Sequence, residues 1–352
     1  MESGQNRTDV ILERFYFSFD GTRGIKPVGP DWLIKDILEA GTIVQMFGTW
    51  AAYKTFVALD MALCIATGHP WHGHEVIKNS PVLYIAGEGR AKLYNRVLAW
   101  AEVFGEVPPG CFGVSSTPTQ ILDDDYYEAL TIRVDETAQK FGTEPQIFLD
   151  TLSRNFGPGN ETDTADMAFF LNRITTLCKS AVRFDVHHSG HGNKDRGRSS
   201  SVWPAGLDVE MKCEKVEGNQ VRITWTKVKD GPYPQPVYLR PEVVALGEDK
   251  HGDAITSVVM RRGVDANTEG LGKALKKIYQ LIREEIDRQG KARQENGQPP
   301  SGLYSTWVPI DTVRALAKGT KATAHFNRDL EALVARKILK QSGEMVFVNV
   351  DI

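Results

Sequence analysis

An α/β fold with a mostly parallel central sheet, followed by a small C-terminal winged-helix-like domain, is what this sequence predicts. Three observations predict it. Apolar runs end in polar or glycine-rich turns near Gly48, Glu88, Asp150 and His188, as buried parallel strands do. The first of them leads through a loop into a helix-like run that begins with Lys54-Thr55. Beyond residue 263 the spacing of apolar residues turns helical and closes with a short strand.

Residues 1–29 form an N-terminal extension with an aromatic stretch, Phe15-Tyr16-Phe17-Ser18-Phe19, and without the apolar segment of a signal peptide. Residues 42–47 are the first core strand, and residues 57–63 a helix. Between them stands Gly48-Thr49-Trp50-Ala51-Ala52-Tyr53-Lys54-Thr55-Phe56, which reads as a phosphate-binding loop with one departure: Tyr53 occupies a glycine position. Backbone N–H groups and the helix N-terminus make a positive concavity for phosphate oxygens. Lys54 would bridge the β- and γ-phosphates, and the Thr55 hydroxyl would bind Mg²⁺. Tyr53 fits this loop if its φ is negative and its ring points outward. The plainer alternative is that Lys54-Thr55 starts an ordinary helix.

The next strand, residues 81–86, ends in Gly87-Glu88-Gly89. Glu88 is placed to polarise an attacking water, or is simply a turn carboxylate. The strand 145–150 delivers Asp150 roughly 95 residues beyond Lys54, the pattern of a Walker B acid that holds Mg²⁺. The strand from residue 181 ends in His187-His188. Alternation sends these two side chains to opposite faces, so only one can face a nucleotide. A basic loop with Lys194, Arg196 and Arg198 follows. His69, His72 and His74 lie in a turn without a partner at zinc-ligand spacing, and we expect no metal there.

In this order the segments resemble the RecA-like ATPases, and within them the RepA-type hexameric replicative helicases of plasmids and phages. The resemblance covers roughly residues 30–260. It rests on Pro30-Asp31-Trp32-Leu33-Ile34, Ala66-Thr67-Gly68-His69-Pro70-Trp71, Tyr84-Ile85-Ala86-Gly87-Glu88-Gly89, Arg96-Val97-Leu98-Ala99-Trp100, Gly159-Asn160-Glu161 with Asp166-Met167, His187-His188-Ser189-Gly190 and Lys227-Val228-Lys229-Asp230-Gly231. The family includes members with Tyr-Lys-Ser or Tyr-Lys-Thr at the loop. The resemblance implies a RecA-like P-loop ATPase core over residues 30–262, with ATP and Mg²⁺ as cofactors. It makes Lys54 and Thr55 the phosphate and Mg²⁺ ligands, Asp150 the Walker B acid, Glu88 the catalytic carboxylate and His188 a sensor. An arginine from the loop after His188 would reach ATP on the neighbouring subunit. The family reads Arg-Gly-Ser-Ser-Ala where this chain has Arg198-Ser199-Ser200-Ser201-Val202, so Arg196 or Arg198 takes that role.

The implied activity is ATP-driven DNA unwinding or translocation on single-stranded DNA by a homo-oligomer, a hexameric ring. Lys194, Arg196 and Arg198 could grip backbone phosphates in its channel. Two other readings stay open: a recombination or helicase-loading ATPase, and an ATP-switched DNA-binding regulator.

Composition agrees with an enzyme of the cytoplasm. Charged residues are 25% and hydrophobic ones 41%, close to globular averages. No apolar run approaches the roughly 18 residues of a membrane span. Cys64, Cys111, Cys178 and Cys213 are scattered, as reduced thiols are.

The C-terminal domain, residues 263–352, is distinct in charge. Residues 271–352 carry 14 Lys/Arg against 9 Asp/Glu, a net of +5, whereas the whole chain totals −3. Such an excess suits a nucleic-acid partner, or is merely a solvated face. The spacing predicts a helix over 273–288, a polar linker over 289–302, and a short helix capped by Asp311. A third helix over 323–339 and a strand over 345–350 complete it. The third helix offers Lys321, His325, Asn327 and Arg328 for DNA. The competing role for this module is docking on a neighbouring subunit or another protein.

Overall fold

The computed structural model describes residues 29–87, 90–178, 180–189, 200–216, 219–263, 272–295, 308–318, 325–335 and 339–348. By its contacts the chain divides into Met1–Asp31 and Trp32–Ile352, and all elements below belong to the second unit. They run β1 (Trp32–Ile34), β2 (Leu38–Glu39), β3 (Ile43–Gly48), α1 (Lys54–Thr67), β4 (Val82–Ala86), α2 (Arg90–Phe104), β5 (Phe112–Val114), α3 (Asp124–Phe141), β6 (Gln146–Asp150), α4 (Leu152–Asn155), α5 (Thr164–Leu177), β7 (Arg183–His188) and α6 (Val202–Gly206). Then come β8 (Val209–Val216), β9 (Gln220–Val228), β10 (Val237–Glu248) and β11 (Ala254–Arg262).

Nine strands form one sheet in the order β11-β10-β9-β8-β3-β7-β6-β4-β5. From β8 to β5 every neighbouring pair is parallel. β9, β10 and β11 extend it with antiparallel pairings. This is an α/β fold with a large, mostly parallel central sheet, as expected.

Parallel strands covered by helices on both faces read as unbroken apolar runs. β3 and β6 are buried at every position for that reason. One face carries Val44, Met46, Phe148 and Phe184 into a core shared with Ala58 and Leu59 of α1. The other carries Ile43, Ile147 and Leu149 into a core with Phe170 of α5 and Trp203 of α6. Stacked rings tie three strands across the first face: Tyr84 to Phe148 at 6.0 Å, and Phe148 to Phe184 at 4.9 Å. Asp123 and Asp163 cap α3 and α5, each accepting from two backbone N–H groups of the first turn.

The antiparallel extension was not foreseen from the sequence. β9 buries Val221, Ile223 and Trp225 and leaves their neighbours part-exposed, the alternation of a strand with one wet face. β11 returns Val259 and Met260 to the first core, with the Arg261 guanidinium over the Phe104 ring.

The C-terminal segments are α7 (Lys273–Glu295), β12 (Val308–Pro309), α8 (Ile310–Ala317), α9 (Phe326–Ala335), β13 (Leu339–Ser342) and β14 (Met345–Val348). They bury their own cluster, including Ile278, Ile282, Val313, Leu330 and Val346. Three differences from expectation stand out. α7 continues to Glu295, through part of the stretch expected as linker. Arg288 and Gln289 both bond the Glu285 carboxylate, and such i,i+3 and i,i+4 pairs sustain a polar helix. Leu339, expected at the end of the third helix, instead begins β13, which pairs with β14. Asp311 is not the cap of α8: Pro309 holds that position, and Asp311 pairs with Arg314 in the first turn.

Candidate active site

The C-terminal ends of β3, β7 and β6 lie side by side, where open parallel sheets gather ligands. Gly48 closes β3. A Cβ added there would stand 2.1 Å from the Cys213 carbonyl oxygen of β8, so the two backbones approach only because this residue is glycine. The loop carries Trp50 into solvent at 85% exposure and buries Ala52, whose carbonyl accepts from the Cys213 thiol at 3.1 Å. Ala51 and Tyr53 have φ of 60° and 64°. Alternating handedness is how such loops aim successive N–H groups into one concavity.

Tyr53 therefore overturns the negative φ expected of it. It keeps the left-handed backbone that the pattern's glycine would adopt, at a strain of about 1–3 kcal/mol. Its ring is held in place: it meets Phe56 edge-on at 5.8 Å, with the Lys215 ammonium 4.9 Å from its centroid. Arg96 in turn lies 4.6 Å over Phe56. Cation–aromatic contacts of this kind contribute about 0.5–2 kcal/mol each and offset part of the strain. Tyr53 is the N-cap of α1 but makes no side-chain cap. An N-terminus without such a cap suits an anion, which its orphan N–H groups and dipole favour.

Lys54 is buried, and its ammonium donates to the carbonyls of Gly48 at 3.0 Å and Thr49 at 2.9 Å. It also donates to His188 Nδ1 at 3.4 Å. His188 is the register partner of Gly48 across the β3–β7 pair, and His187 is fully buried on the opposite face. Of the two adjacent histidines, His188 thus reaches the loop lysine. Thr55 Oγ1 donates to Asp150 Oδ1 at 3.3 Å, and the Tyr84 hydroxyl donates to Asp150 Oδ2 at 2.8 Å. Burial pushes the Asp150 carboxyl up, while those two hydrogen bonds and the charges of Arg96 and Lys54 pull it down. Gly87 N–H donates to the Asp150 carbonyl at 2.6 Å, which sets the residue before Glu88 beside Asp150.

The structure therefore brings Gly48 to Phe56, Asp150 and His188 together. Glu88, Lys194, Arg196, Arg198 and Lys321 lie outside the described residues. Arg328 is exposed on α9 and pairs with Asp329 at 3.3 Å. The turn histidines are engaged elsewhere: His72 bonds Asp60 at 2.7 Å, and His69 packs against Trp100 and Phe104. Sequence reasoning missed Tyr84, Arg96 and Lys215. Tyr84 left one signal, since a tyrosine inside a buried strand must find a partner for its hydroxyl.

A hydroxyl and a carboxylate in contact are the hard oxygen donors that Mg²⁺ takes alongside nucleotide phosphates. A buried lysine at a helix N-terminus suits the phosphates themselves. The residues present fit both groups.

Sheet, loop and carboxylate together make the frame of a P-loop nucleotide site. The chain belongs to the AAA domain family, which matches residues 12–196. Among solved structures it is similar to the RadB recombinase, at 14% identity, over 57% of this chain and 87% of that one, with a TM-score of 0.42. No curated protein matches it significantly. Among the described residues, no helix is long and apolar enough to cross a membrane.

Proposed function

We propose that this RecA-like ATPase is a DNA helicase or translocase of the RepA type, working on single-stranded DNA in plasmid or phage replication as a hexameric ring. The observation that carries the reading is the 3.4 Å contact between Lys54 and His188. Lys54 is the phosphate-binding lysine, and His188 ends the strand that runs into the loop bearing Lys194, Arg196 and Arg198. A phosphate that draws Lys54 away from His188 changes the contacts at the root of the basic loop. That is the coupling a motor needs between nucleotide and DNA.

The chain's own groups divide the chemistry. The loop N–H groups and Lys54 bind and orient the phosphates. Thr55 and Asp150 would hold Mg²⁺, which when bound neutralises phosphate charge. Glu88 accepts a proton from the attacking water. Arg196 or Arg198 reaches the neighbouring subunit's site, a contribution of about 10³–10⁵ in rate for such fingers. The remaining cations of that loop hold DNA phosphates, and Lys321 and Arg328 of the C-terminal domain contact the backbone, so binding weakens with salt.

The test is ATP hydrolysis by the purified protein with and without single-stranded DNA, beside unwinding of a forked duplex. DNA-stimulated hydrolysis with unwinding is expected. Hydrolysis without unwinding would replace the motor by a loader, recombinase or switch, and an absence of hydrolysis would overturn the reading.

A further inference from the structure

The β4–β6 register sets Tyr84 opposite Phe148 and Ala86 opposite Asp150. Tyr84 is therefore a diagonal neighbour of Asp150 on the same face, a separation of about 7–8 Å between backbones that an aromatic side chain spans. Its ring is fully buried and stacked on Phe148 with an interplanar angle of 13°, which leaves the hydroxyl one direction to point. That direction ends at Asp150 Oδ2, while Thr55 takes Oδ1. Two hydroxyls on two oxygens fix the plane of the carboxylate, one from the helix that carries the phosphate loop and one from the neighbouring strand.

We infer that Tyr84 is a positioning residue that sets the affinity of the site for a divalent cation by orienting the Asp150 carboxylate. The inference rests on the nucleotide-site reading above. Without the Tyr84 hydroxyl, Oδ2 loses that hydrogen bond, and the carboxylate is oriented through Oδ1 by Thr55. Partners that orient metal-binding side chains typically carry about 10–100-fold of metal affinity.

Tyr84→Phe removes one oxygen and keeps the ring stack. The experiment titrates Mg²⁺ into the full chain with a fluorescent ATP analogue and follows anisotropy, then repeats the nucleotide titration in EDTA. The half-saturating Mg²⁺ concentration should rise about tenfold or more, with nucleotide affinity in EDTA unchanged. In an Asp150→Asn background, Tyr84→Phe should shift nothing further. An unmoved Mg²⁺ midpoint in Tyr84→Phe, or equal weakening in EDTA, overturns the inference while the site reading stands. A wild type whose nucleotide affinity ignores Mg²⁺ overturns both.

Discussion

Between β8 and β5 the central sheet is parallel, and β3 and β6 within it are buried at every residue, whereas β9 to β11 run antiparallel and leave residues such as Val243 69% exposed. The polar groups gathered around Asp150 and Lys54 come from the first half or from the helices that follow its strands. The reason is geometric. Parallel strands all finish at one edge, so the turns after β3, β6 and β7 converge there. Antiparallel strands finish alternately at opposite edges and cannot pool their ends. The second half contributes mainly a wall.

The largest test of that division is Lys54→Ala. Removing a preorganised charge donor from the parallel half should lower ATP turnover by about 10²–10³, with little change in thermal melting. A steady-state hydrolysis assay decides it, and near wild-type turnover would remove the chemistry from this edge. Gly48→Ala acts inside the parallel half, where β3 runs beside β8. The added methyl meets a backbone oxygen rather than a yielding side chain, so the two strands must part, at about 1–3 kcal/mol. Chemical denaturation should show the loss, and an unchanged midpoint would mean that β3 and β8 are not rigidly joined.

Asp185, on β7 in the parallel half, is fully buried, and among the described residues neither carboxyl oxygen has a hydrogen-bond partner. Burial holds its carboxyl well above the usual range, with the Arg183 charge pulling the other way. The folded protein thus retains a proton that the unfolded chain releases near pH ~3.9. Its contribution is most favourable below that value and is lost as pH rises toward the folded pKa. Asp185→Asn should therefore melt higher than the wild type by a margin that widens from about pH 5 to pH 8. Melting curves across that range check it, and a margin independent of pH would contradict it. The smallest effect is expected from the antiparallel half: Val243→Thr should alter stability by no more than about 0.5 kcal/mol. A larger loss in denaturation would show that this ribbon is more than a covering.

The same contrast explains what was legible in the sequence. β3, β4 and β6 are largely apolar runs that lead into glycine-rich or polar turns, so Lys54, Thr55 and Asp150 were found at their ends, and His188 was found where β7 closes in two histidines. The strands of the other half carry Arg222, Thr224 and Lys227 between their apolar residues, and that alternation was not recognised as a continuation of the sheet. β5 is three residues long and part-exposed, too short to show a period. Tyr84, Arg96 and Lys215 escaped because they reach the site through side-chain contacts across strands and helices, which only the pairing register reveals. Tyr53 was noticed, but its handedness was misjudged. Sequence alone does not show that neighbouring cations and an aromatic partner would hold a left-handed tyrosine.

Trp50 has an optical consequence. Trp71, Trp100, Trp203 and Trp225 are buried, whereas Trp50 stands in solvent at the tip of the phosphate loop. Among these five indoles, a collisional quencher such as iodide reaches Trp50 first. The part of that quenching lost in a Trp50→Phe variant becomes a label-free gauge of whether the loop is open to solvent or covered.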